Sequence, residues 1–176
     1  MYKMFLLSLI CVLGLTEAEA QNKVRWMTLE EALAKSESSP RKIVIGAYIN
    51  SCSWCKMMDK TTLAQDHIAK YFNENFYPVK LDSEYKSAIT FKGVEYNYVR
   101  TLKGGHHELI AHLLNGKLSY PTLIFLDENQ NVLQSITGYI SAEDFELVLH
   151  YYGQDAYKTI PWRKFTCKYN MPVNKD

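Results

Sequence analysis

Residues 43–60 read IVIGAYINSCSWCKMMDK. The opening run, from Lys42 to Ile49, is rich in isoleucine, valine and tyrosine and has the composition of a buried strand. From Trp54 onward, Met57, Met58, Leu63, Ile68, Tyr71 and Phe72 recur at roughly helical spacing, which predicts one long helix to Phe72. Cys52 and Cys55 fall at the junction, separated by Ser53 and Trp54. Such a pair can be a redox couple, half of a metal site, or a structural staple.

Outward from this junction the chain is regular for most of its length. Before it, Met27–Lys35 reads as a short helix. Thr28 is placed as N-cap with Glu31 three residues on, the pattern of a capping box. After it, Phe76–Asp82 reads as a second strand, and Pro78 at its third position predicts an edge or an irregular start. Ser83–Ser119 is less regular, with Gly93, Gly104, Gly105 and Gly116 and a helix expected from His107 to Leu114. Pro121–Leu126 and Val132–Thr137 are strands joined by the turn Asp127–Asn131, hence a hairpin. Ser141 caps a last helix that Gly153 ends. The polar and aromatic tail, 154–176, has no assignment. Strand, helix, strand and an adjoining hairpin predict an α/β fold with a mixed central sheet and helices on both faces.

The chain has 176 residues, 47% of them hydrophobic, enough for one domain with a real core. Its formal charge is +1 and it has no long basic block, so nothing points to nucleic acid. Residues 1–20 have the form of a secretory signal: Lys3 near the start, the apolar run FLLSLICVLGL, then Ala18-Glu19-Ala20. Cleavage is expected after Ala20, leaving no membrane anchor. Cys11 is a poor lipid-attachment site because Ile10 precedes it and it lies inside the apolar run. Export places the remaining cysteines, Cys52, Cys55 and Cys167, where disulfides persist, so at most one internal bridge forms and one thiol is left over. The ending Val173-Asn174-Lys175-Asp176 is not an endoplasmic-reticulum retention signal, which favours a periplasmic or secreted location.

Cys-x-x-Cys at the strand–helix junction, followed at a distance by Tyr120-Pro121 opening a hairpin, resembles the thioredoxin family. The likeness covers about residues 26–153. It is carried by SCSWCKMMD, FYPVKLD, SYPTLIFLD and ITGYISAEDF, and comes nearest to exported bacterial members. It implies a thioredoxin fold in residues 21–153, with an insertion at 83–119 and a C-terminal tail. It also implies a cis Pro121 beside the cysteine pair, presenting the backbone of Tyr120 to an extended client segment.

Within that resemblance the cysteines have distinct roles. A helix N-terminus favours an anion, and Lys56 adds positive charge, so Cys52 is the expected nucleophile. Cys55, one turn in, would attack the mixed disulfide and release the client. The rival readings are weaker. A zinc site needs about four ligands, and no second Cys-x-x-Cys exists. A structural bridge over so short a loop adds little stability. Trp54 is expected to touch clients. One feature departs from the family. Six residues before Cys52, where thioredoxins carry a buried acid, stands Gly46, leaving Asp82, Glu84 or a water as substitutes. Ser53-Trp54 also differs from the Gly-Pro of thioredoxin itself, so the direction of electron flow does not transfer.

His107-Glu108-Leu109-Ile110-Ala111-His112 is not a zinc-protease motif. Its histidines are five apart and so turned about 140° from each other on a helix. His106 and His107 are expected to be polar residues at a helix start, with a place near the client groove the alternative. Tyr85, Phe91, Tyr96 and Tyr98 make the insertion either a client-selecting surface or a packing layer. Trp162, Phe165 and Tyr169 are expected to fold back on the domain, and Cys167 to be idle. The expected function is an exported thiol–disulfide oxidoreductase, with the reductase reading favoured over the oxidase one by the resemblance. It would act on protein thiols and disulfides and be recharged by a membrane or periplasmic redox partner, with no metal and no cofactor beyond its own disulfide. The alternative is a thioredoxin-fold binding or chaperone module with a non-catalytic disulfide.

Overall fold

The computed structural model describes residues 23–102 and 104–169. The expected signal segment lies outside the described residues, as does the end of the tail. The elements that build the main body are α1 (Leu29–Ser38), β1 (Ile43–Tyr48), α2 (Ser53–Thr61), α3 (Asp66–Asn75) and β2 (Tyr77–Asp82). The insertion holds β3 (Ile89–Phe91), β4 (Val94–Tyr96), β5 (Tyr98–Thr101), β6 (Gly104–His107) and α4 (Glu108–Leu113). Then come β7 (Thr122–Leu126), β8 (Val132–Thr137), α5 (Ala142–Gly153), a short 3-10 turn at Ala156–Lys158 and α6 (Trp162–Tyr169).

Four strands form the central sheet in the order β2-β1-β7-β8. β1 runs parallel to β2 and antiparallel to β7, which turns back as β8. Both faces of the sheet are covered, so its inner strands alternate between two cores rather than between core and water. Ile43, Ile45, Ala47, Ile124 and Leu126 join Leu29 and Ala32 of α1 and Leu109, Ile110 and Leu113 of α4. Val44, Leu123 and Phe125 join Met58, Ile68, Phe72 and Phe145 from α2, α3 and α5. Pro78 sits on an edge strand as expected, and Met27 covers its outer side through Met27 N–H to the Pro78 carbonyl at 3.0 Å. The capping box of α1 is present in both directions.

The long helix expected from Trp54 to Phe72 is two helices. The chain breaks at Thr62–Gln65 because tertiary contacts outbid helix continuation. Thr62, fully buried, donates its hydroxyl to the Ile140 carbonyl at 2.6 Å, and Leu63 turns into the core. The Leu63 N–H reaches back five residues to the Met58 carbonyl at 3.0 Å, a widened, π-type closing turn.

In the insertion, β3 and β4 form a hairpin whose two turn residues, Lys92 and Gly93, both take positive φ, the primed geometry that matches strand twist. β5 and β6 form a second hairpin. His107 is fully buried and caps α4. Its Nδ1 accepts the Leu109 N–H at 3.3 Å, and Nε2 lies 3.1 Å from the Ser87 carbonyl. His107 thus stands at a helix start, as expected, and being fully buried it ties α4 to the Ser87 stretch rather than facing a client groove. Phe91 is buried in the same core as α1 and α4, with Tyr96 against it, so these two aromatics are packing, whereas Tyr85 is exposed.

The tail folds back as expected for two of its three aromatics. Trp162 and Phe165 each sit 5.0 Å from the Tyr151 ring, and Tyr169's side chain lies outside the described residues. Lys42, just before β1, ties the tail's first turn to the β7–β8 turn through ion pairs to Asp155 and Glu128, both at 2.7 Å. Burial alone would lower the Lys42 pKa, but the bonds to Asp155 and Glu128 outweigh it and raise it. Burial likewise works against Asp155, whose pKa is nonetheless lowered by Lys42 and Lys158. The lysine's contribution is therefore complete below its ordinary pKa and lost as pH rises through the raised one. The aspartate's is present above its ordinary pKa and lost as pH falls through the lowered one. Both acids are partly exposed, so Lys42→Met is expected to cost about 1–2 kcal/mol at neutral pH rather than the larger cost of breaking a fully buried pair. In urea titrations the gap between variant and wild type should narrow below about pH 4. A gap that does not change with pH would contradict the ion-pair account.

Candidate active site

Cys52 is the N-cap residue of α2. The β1-to-α2 loop is closed by Cys52 N–H to the Ile49 carbonyl at 3.1 Å. Extended φ/ψ at Cys52 then points its sulfur back over the open helix end, where it accepts the Cys55 N–H at 3.0 Å. A sulfur replaces the usual capping oxygen and satisfies one of the donors a helix start leaves unpaired. The first turn holds no acidic residue, so no side-chain anion there opposes negative charge on the sulfur.

Cys52 and Cys55 are joined as a disulfide. The two sulfurs differ in access: Cys52 is half-buried, whereas Cys55 is 6% exposed and faces inward. Trp54, between them in sequence, is 62% exposed, with its ring 5.9 Å from Tyr139. Tyr139 is fixed by a hydroxyl contact of 3.0 Å with Thr61 on α2. With exposed Met57, these rings make an apolar rim beside Cys52.

The Tyr120–Pro121 peptide is cis. Pro121 leads into β7 and lines the same small cavity as Cys55, so the structure brings together the cysteine pair and the proline. Tyr120 is tied away from the rim, because its phenol donates to the Ser83 hydroxyl at the start of the insertion. Burial, with Asp82 and Glu84 nearby, outweighs that bond and pushes the phenol's pKa up. Ser83 in turn donates its N–H to Tyr48 at the end of β1 and accepts that of His107. The insertion is thereby bonded to the residue preceding Pro121.

Gly46 lies opposite Lys80 in the β1–β2 register, and the Trp26 ring stands over it: a Cβ there would lie 3.5 Å from the ring edge. Under this ring is a cavity of about 20 Å³, bordered by Gly46, Cys55, Asp59, Lys80, Tyr48 and Pro121 among others. Asp59 and Lys80 form an ion pair across it at 2.6 Å. The Lys80 ammonium also lies over the rings of Trp26 and Tyr48, at 5.4 and 5.3 Å. Of the expected substitutes for the absent acid, Asp82 binds Asn50 at 3.0 Å and the Glu84 N–H at 2.8 Å, and neither Asp82 nor Glu84 borders the cavity. Asp59 went unnoticed in the sequence. Its signal was the four-residue spacing from Cys55, one turn along the same helix face. Cys167 is exposed on α6. Among the described residues no group of three or more His, Cys, Asp or Glu side chains is placed to hold a metal ion, and no helix is long and apolar enough to cross a membrane.

Comparison with known proteins gives the same architecture. A solved DsbH oxidoreductase superposes with TM-score 0.54 at 18% identity, covering 81% of this chain and 92% of that one. A thioredoxin-fold protein from Helicobacter pylori superposes with TM-score 0.57 at 18% identity, covering 79% and 92%. Among curated proteins, an uncharacterized protein from Caenorhabditis elegans is 30% identical over 66 residues, 37% of this chain. The match takes up only 9% of that relative's length. The Thioredox_DsbH family model, described as "Protein of unknown function, DUF255", matches residues 15–152, a span that includes both cysteines, Asp59, the whole insertion and Pro121. The chain is thus a member of the Thioredox_DsbH family with a thioredoxin-like fold.

Proposed function

We propose that this chain is an exported thiol–disulfide oxidoreductase that exchanges disulfides with protein clients through Cys52 and Cys55, working in the reducing direction. The observation that carries it is the placement of the Cys52 sulfur. It sits at a helix N-terminus on a backbone N–H, next to an exposed apolar rim, and is bonded to a second sulfur that solvent barely reaches. In the reduced pair the same N–H and helix dipole stabilise the Cys52 thiolate. That thiolate attacks one sulfur of a client disulfide, the client's other sulfur leaves as a thiolate, and a Cys52–client bond forms. Cys55 then attacks Cys52, the second client thiolate leaves, and the protein disulfide is restored. The two electrons delivered to the client are replaced by an upstream dithiol partner, at a membrane or in the periplasm. Trp54 and Tyr139 supply apolar contact for the client, and the backbone of Tyr120, set by Pro121, pairs with it as an added strand. Residues 1–20 direct export. No metal or organic cofactor enters this chemistry.

Two measurements test the proposal. The wild-type protein should accelerate reduction of a protein disulfide by dithiothreitol; no acceleration would remove the enzymatic reading. The reduction potential of the Cys52–Cys55 couple should fall nearer about −270 mV, typical of a reductant, than about −120 mV, typical of a strong oxidant. The second value would reverse the proposed direction while leaving the exchange intact.

A further inference from the structure

The second half of the exchange has a proton problem. Cys55 must become a thiolate to attack Cys52, yet its sulfur is buried, and an apolar setting holds a thiol in its neutral form. Its proton needs an acceptor inside the protein. Among the described residues Asp59 is the one carboxylate bordering the cavity that Cys55 borders, and it is one helical turn from Cys55. At about 20 Å³ that cavity has room for a single bridging water. Lys80 fixes the carboxylate at 2.6 Å, and is itself held over the Trp26 and Tyr48 rings. Gly46 on β1 pairs with Lys80 on β2, and its lack of a side chain leaves the space that the Trp26 ring covers. Of the other titratable groups at the cavity, Lys80 is paired with Asp59, and Tyr48 is no competitor for the role: burial and the charges of Asp82 and Asp59 push its pKa up, so it stays protonated at neutral pH.

The geometry points to Asp59, held by Lys80, as the proton acceptor for Cys55 in resolution of the mixed disulfide. This rests on the exchange reading above. In the step, the Cys55 thiol gives its proton through one water to the Asp59 carboxylate. The Cys55 sulfur forms a bond to Cys52 sulfur, the Cys52–client bond breaks, and the client sulfur leaves with the electron pair. In the reverse direction Asp59 returns the proton to Cys55. Both members of the ion pair are about one-third exposed, so the carboxylate can pass the proton on to solvent after taking it from the buried Cys55 side of the site.

The test uses the full chain in a Cys167→Ser background, so that the exposed third thiol is silent. The reduced protein is mixed with dithionitrobenzoate, an aromatic disulfide that releases one coloured thiolate on attack by Cys52 and a second on attack by Cys55. Asp59→Asn should leave the first, concentration-dependent phase little changed. It should slow the second, unimolecular phase by about 10- to 100-fold near neutral pH. That deficit should shrink as pH rises into the alkaline range, where hydroxide takes the thiol proton without help from Asp59. Asp59→Glu should recover much of the rate. The inference is overturned if the second phase of Asp59→Asn follows the wild-type pH profile. It is also overturned if the phase is slowed by the same factor at every pH, which would mean that Asp59 merely holds Lys80 in place. Failure of the exchange reading looks different: the wild-type first phase would be no faster than that of free cysteine.

Discussion

Cys55→Ala is expected to stop the exchange at its covalent midpoint, with the client bonded to Cys52 and unable to leave. The variant keeps everything that activates Cys52. The N–H that the Cys52 sulfur accepts belongs to the backbone of residue 55, and alanine supplies it unchanged. Alanine also preserves the helix and its dipole. What is lost is the nucleophile that breaks the Cys52–client bond. Incubation with oxidised protein clients should then give adducts on non-reducing gels, released by dithiothreitol and absent from Cys52→Ser. The latter variant is the sharpest control, because serine is among the best N-cap residues and α2 should form as before. Its disulfide-reduction rate should fall to that of dithiothreitol alone. If Cys55→Ala collects no more adduct than Cys52→Ser, the binding-module alternative gains and the pair is a staple.

The adduct would form at a site whose centre was legible in the sequence for a local reason. A cysteine just after an apolar strand and just before helical spacing must fall at a helix N-terminus, and the capping geometry of Cys52 is the direct outcome. The capping box at Thr28 and the β7–β8 hairpin were legible on the same ground, since the residues that decide them are neighbours in the chain. The break between α2 and α3 was not, because its cause is a hydroxyl bond from Thr62 to a carbonyl 78 residues away. Nor was either hairpin of the insertion. Strands of three or four residues are too short to show a period, and Lys92-Gly93 is a weak turn signal beside Asn-Gly. Asp59 was hidden for a third reason. Its spacing from Cys55 was visible, but its ion pair with Lys80 depends on how β2 registers against β1.

Phe72→Ala is expected to give the largest loss of stability of any variant considered. Phe72 is fully buried on α3, with edge-on ring contacts to Trp26 at 5.9 Å, Phe76 at 5.8 Å and Phe145 at 5.5 Å. Four elements or segments meet at that ring, so neighbours on one side cannot move in without leaving a gap on another. The cost of such a truncation is about 3–5 kcal/mol, out of a total of about 5–15 kcal/mol for a domain. The melting temperature should fall by about 10 °C or more while the fold persists at 25 °C. The consequence reaches the sulfurs, because Met58 of α2 belongs to the same core cluster and anchors the helix that carries Cys55. Loosening that cluster lets α2 lift, so the reduced variant should alkylate at Cys55 faster than wild type, while Cys52, already accessible at the helix start, changes little. Calorimetry and alkylation followed by mass spectrometry read the two effects separately. A melting temperature within about 2 °C of wild type would show that the ring cluster contributes little to holding this side of the sheet. A large drop with no change at Cys55 would show that α2 is anchored by other contacts.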